Sequence, residues 1–73
     1  MANYSYEGGY KYSMGMTFIT TEAAKNFAYE YDVDISDRGR DKVDLWFKNK
    51  TDLNKFVKIA INDKNITYFY VQK

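Results

Sequence analysis

The chain has 73 residues and a formal net charge of +1, and it contains neither Cys nor His. That length makes residues 1–73 a single domain with room for one core. The two missing residue types exclude a disulfide, a zinc-finger-type site, a thiol nucleophile, an imidazole base and the Ser-His-Asp relay. The near-balanced charge argues against strong nonspecific attraction to nucleic acid. What remains to stabilise so small a chain is aromatic packing, for which it carries eight Tyr, five Phe and one Trp, or association through an open sheet edge.

The first eighteen residues alternate. Tyr4, Tyr6, Tyr10, Tyr12, Met14, Met16 and Phe18 are large, and the odd positions between them are polar or small. This is the pattern of a strand with one buried face, and it is expected to be the central strand. Glu7-Gly8-Gly9 can fold the start of the chain back as a hairpin. A three-residue loop pairs Tyr6 with Tyr10 and Tyr4 with Tyr12 on one face, with Gly9 at positive φ. The alternative is an extended arm. Gly15 inside the strand implies a bulge or a close neighbour.

Thr20-Thr21-Glu22 supplies a hydroxyl N-cap and an acidic first turn. Ala23, Ala24, Phe27, Ala28 and Tyr31 follow as a helical stripe that leaves Tyr29 and Glu30 outside. Alternation at Val33 and Ile35 reads as a short strand, and Asp37 to Asp41 as a turn around Gly39. In the next strand, Lys42 to Lys48, Val43, Leu45 and Phe47 share one side and Asp44, Trp46 and Lys48 the other. Asn49 to Asp52 gives a second cap. Leu53, Phe56, Val57, Ala60 and Ile61 form a second helical stripe, although Val57, Ile59 and Ile61 also alternate as a strand would. Ile66 to Val71 is the last strand.

The expected fold is α+β: a small antiparallel sheet with two helices on one face, preceded by the N-terminal hairpin or arm. Its β-α-β-β-α-β order resembles the split, ferredoxin-like arrangement, in element order alone. That architecture serves many unrelated functions.

The stretch from Glu30 to Asp44 has six acidic residues against Arg38, Arg40 and Lys42. Asp32-x-Asp34-x-Ser36 begins like a calcium loop, but Asp37 stands where Gly is required and Val43 where the closing Glu belongs. The simpler reading is a hairpin whose arginines offset its aspartates. No metal, cofactor or catalytic residue is expected, and the protein is not expected to be an enzyme.

The aromatic residues offer more. With Val43, Leu45 and Phe47 turned to the helices, Trp46 turns away. Phe69 and Val71 make the better core pair, which sends Tyr68 and Tyr70 to the open face beside Trp46. The candidate partner-binding residues are therefore Trp46, Tyr68, Tyr70, Tyr4, Tyr6 and Lys48. Such a face suits a protein interface. It also suits stacking of single-stranded nucleic acid, although the basic-Gly-aromatic run of RNA-recognition domains is absent and Asp44 adjoins the Trp. A third possibility is that Tyr4 and Tyr6 simply cover the rings.

The expected function is that of a small protein-binding module, with nucleic-acid binding and self-association through a sheet edge, as a homodimer, as alternatives. Asn, Lys, Ile, Tyr and Phe account for 33 of the 73 residues. These residues have AT-rich codons, which suggests an AT-rich genome, as in many bacteria of low GC content and many of their phages. A phage or mobile-element modulator or inhibitor of a host protein is the setting expected for so small a binding protein. The opening residues form no signal peptide and no apolar run reaches membrane-spanning length, so a cytoplasmic location with no membrane partner is expected.

Overall fold

The computed structural model describes residues 8–72. Its elements are β1 (Tyr12–Phe18), α1 (Thr21–Tyr31), β2 (Lys42–Phe47), α2 (Lys50–Asn62) and β3 (Ile66–Gln72). The three strands form one sheet in the order β2-β1-β3, with β1 antiparallel to both neighbours. The alternating strand is thus the central one. It holds β2 and β3 parallel to each other on either side, with α2 making the crossover between them.

One sheet face and both helices enclose the core. Met14, Met16 and Phe18 of β1 and Val43, Leu45 and Phe47 of β2 are buried with Ala24, Phe27 and Ala28 of α1 and Leu53, Phe56 and Ala60 of α2. Phe56 is the pivot between layers: its ring lies 5.5 Å from Phe47, 6.2 Å from Phe27 and 5.3 Å from Tyr31. These tilted and edge-on arrangements are the ones ring quadrupoles favour.

Both helices start where the polar residues place them. The Thr20 hydroxyl accepts from the Ala23 N–H at 3.0 Å, and the Asn49 side chain accepts from the Asp52 N–H at 2.9 Å. Residues 53–61 are therefore helical, settling the ambiguity in their pattern. Within that helix the stripe drifts from the expected set: Ile61 is 66% exposed, while Ile59 packs partly against the core.

The expected strand at Val33 and Ile35 is not formed, and the order is β-α-β-α-β rather than the split ferredoxin-like one. Local hydrogen bonding explains the difference. Asp32 turns left-handed (φ 54°) to end α1, and the Val33 N–H closes on the Ala28 carbonyl at 2.9 Å. This is a Schellman-type stop with Asp in the place usually held by Gly. Three residues later the Ser36 hydroxyl takes the Arg38 N–H at 3.0 Å and begins the next turn. Only a single bridge, Ile35 to Val43, fits between the two.

Gly8 and Gly9 both have positive φ, 89° and 73°, as a turn at this point requires. The proposed hairpin itself, with Tyr4 and Tyr6, lies outside the described residues. The one register shift along β1 falls between Thr17 and Phe18 on the β3 side, not at Gly15.

Candidate interaction face

The sheet face opposite the helices is a grid fixed by register. Opposite Ser13 stand Trp46 and Gln72; opposite Gly15 stand Asp44 and Tyr70; opposite Thr17 stand Lys42 and Tyr68. Small residues therefore run down the central strand and larger ones flank it, leaving a shallow trough along β1. The parity read from the sequence holds on β2 and, on β3, from Tyr68 to Tyr70. The register shift turns Ile66 to the core, and Val71, expected there with Phe69, is 40% exposed. Val43, Leu45 and Phe47 are buried, Phe69 packs against the core, and Trp46, Tyr68 and Tyr70 share the other face.

Arg38 crosses the trough. Its Nη2 donates to Asp44 Oδ1 at 2.7 Å, and its guanidinium carbon lies 5.3 Å from the centroid of the Tyr70 ring. The carboxylate it meets is held from a second side, because the Ser36 hydroxyl donates to Asp44 Oδ2 at 2.6 Å. Arg38's own hydrogen bond to Asp44 is the main reason its pKa is raised. The guanidinium is charged in any case. With 42% and 21% of their side chains exposed, the two partners gain little net stability, about 0–1 kcal/mol. What the pair fixes is position: a planar cation laid over the middle row of the face.

Gly15 makes that crossing possible. A Cβ there would stand 2.6 Å from Tyr70 Cε1 and 2.7 Å from Arg38 Nη2. The expected close neighbour is thus a tyrosine ring with a guanidinium beside it. A hollow of about 140 Å³ beside this crossing is lined by Ser13, Arg38, Asp44, Trp46, Tyr70 and Gln72 among others.

The candidate residues have different positions. Trp46 is partly buried at the rim of the hollow. Tyr68 is 61% exposed, with its ring 6.3 Å from that of Tyr70. Lys48 is exposed just past the end of β2, away from the crossing. Tyr4 and Tyr6 lie outside the described residues. Arg38 was missing from the set read in the sequence, where it counted only as an offset to nearby aspartates. The available clue was Gly15: a residue without a side chain in the outward row, between Asp44 and Tyr70, leaves room for something large to cross.

Lys42, opposite Thr17, is also engaged, since its Nζ reaches Asp41 Oδ1 at 3.1 Å. The acidic stretch is divided among separate local tasks, with Asp32 ending α1 and Asp44 holding Arg38. Among the described residues no helix is long and apolar enough to cross a membrane. No family model, curated protein or solved structure matches the chain.

Proposed function

We propose that this protein is a small non-enzymatic binding protein that acts by placing its open sheet face against another protein. The observation that carries the reading is the crossing at Gly15: aromatic rings around a trough, with the local cation already neutralised by Asp44. Rigid rings with polar edges are the residue types that anchor protein interfaces. Phosphate recognition needs cations free to meet an anion, whereas at the crossing Arg38 and Lys42 each have a carboxylate partner and the exposed Lys48 lies away from it, past the end of β2, so a protein is favoured over nucleic acid. The setting we assign is a phage or mobile element, with the partner a host protein whose activity is modulated or inhibited.

The test is affinity capture from a bacterial lysate with wild type, Trp46→Ala, Tyr68→Ala, Tyr70→Ala and the control Tyr29→Ala, which alters the outer side of α1. A partner retained by wild type and the control but lost from the face variants supports the reading. The same partners on all five chains would remove it. A gel-shift titration with single-stranded DNA examines the alternative. Binding that persists at physiological salt and is lost with Trp46 would favour stacking.

A further inference from the structure

The two edges of the sheet are finished differently. On β2 the chain returns across the edge: Ile35 bridges to Val43, and the Ser36 N–H donates to the Lys42 carbonyl at 2.8 Å. On β3 no described strand follows, and Ile66-Thr67-Tyr68-Phe69-Tyr70-Val71-Gln72 carries no charge and no Pro along its length. Apart from the register shift at Ile66-Thr67, the devices that ordinarily prevent edge pairing are missing, among the described residues, from Tyr68 to Gln72 of this edge.

We infer that β3 pairs antiparallel with β3 of a second copy of this chain, with the two-fold axis at Phe69. The Phe18 N–H donates toward β2, to the Asp41 carbonyl. By alternation, the peptide groups of Ser13, Gly15 and Thr17 face β3 and meet those of Gln72, Tyr70 and Tyr68. Phe69 and Val71 consequently turn their N–H and C=O groups outward, while Thr67 sits at the register shift with its Oγ1 donating to the Thr17 carbonyl at 3.3 Å. Pairing about Phe69 sets Phe69 against itself, so that its outward N–H and C=O groups each find a partner. Tyr68 falls opposite Tyr70, an aromatic cross-strand pair repeated on each side of the axis.

The side chains at the edge favour the same occupant. Phe69 and Val71 lie on the helix side, and Val71 is 40% exposed. Above them is α2, the helix that packs on β3. Phe56 leans from α2 toward Phe27 and Tyr31 of α1, which leaves Val57 and Ile61 on the flank away from α1. Ile61 is 66% exposed there. A second copy brings the same apolar strip to meet this one, and a net charge of +1 sets up little repulsion between copies. Because the contact is isologous, it closes as a dimer and does not propagate. It also makes the two open faces continuous, doubling the row of tyrosines without using Trp46 or Arg38.

Sedimentation of the full chain tests the inference, together with Val71→Pro, which removes an outward donor, and Val71→Lys, which charges the edge. Wild type should sediment at twice the 8.6 kDa chain mass, and each variant as a monomer with an unchanged far-UV circular dichroism spectrum. The register is read separately by cysteine cross-linking, which is clean because the chain has no other Cys. Residues 68 and 70 would form a non-hydrogen-bonded pair with Cα atoms about 4.5 Å apart, within disulfide reach. Mixing Tyr68→Cys with Tyr70→Cys chains under mild oxidation should give a covalent dimer that neither gives alone. A strict monomer at about 1 mM, whether or not β3 takes up an extended peptide, overturns the inference. So does a dimer that survives both edge variants, or a cross-link formed equally well by either cysteine variant alone.

Discussion

Tyr70 lies over Gly15, with its Cε1 atom 2.6 Å from where a Cβ at that glycine would be. The strand interior is a costly place for Gly, and here the cost is offset by the ring and guanidinium that the missing side chain admits. Gly15→Ala should force Tyr70 and Arg38 off the face and lower stability by about 1–3 kcal/mol, the usual range for overpacking. Urea unfolding would show this as a lower midpoint at an unchanged slope. An alanine variant as stable as wild type would mean that the ring is not held against the strand.

Arg38 should matter much less to stability than its central place suggests. Its ion pair is solvent-exposed and its contact with Tyr70 is a single cation–π interaction, so Arg38→Ala should cost about 1 kcal/mol or less. Thermal unfolding measures the difference. A loss several times larger would show that the crossing supports the fold as well as shaping the face.

The two caps give a further check. Thr20→Ala and Asn49→Ala should each lose about 0.5–2 kcal/mol, because each leaves one N-terminal helix N–H without its acceptor. The caps stand at opposite ends of the sheet, since Phe47 is opposite Tyr12 and not Phe18. Their costs should therefore add in the double variant, as denaturant unfolding of all three variants would show.

Tyr31 links stability to alkaline pH. Burial first, then the neighbouring Glu30, raises its pKa above the ordinary 10.0. The folded chain therefore holds this proton more tightly than the unfolded chain does. The corresponding stability is fully present below about pH 10 and is lost as pH rises from there through the folded pKa. Tyr31→Phe should remove that part of the alkaline decline. The stability difference between variant and wild type should be flat at neutral pH and change only above pH 10.

Much of this architecture was legible because the periodicities are clean. Met14, Met16 and Phe18 mark the buried side of the central strand, Thr20 and Asn49 mark both helix starts, and the parity of Trp46 and of Tyr68 with Tyr70 follows from their apolar neighbours. The pattern misled at Val33 and Ile35, where alternation implied a strand but the backbone was already committed to ending α1 and to the turn at Ser36. Arg38 could not be placed from sequence because its reach depends on a loop conformation and on Gly15, twenty-three residues earlier. Local pattern carries no record of so distant a contact.

The central claim, that the face opposite the helices is the contact surface, is tested most directly by titration calorimetry with the captured partner. Tyr68→Ala, at an exposed position on that face, should weaken binding by about thirtyfold, the loss of roughly 2 kcal/mol that marks an interface anchor. Tyr29→Ala, on a residue 92% exposed on α1, should leave the affinity unchanged. Equal affinities for both variants and wild type, or a loss confined to Tyr29→Ala, would contradict the account.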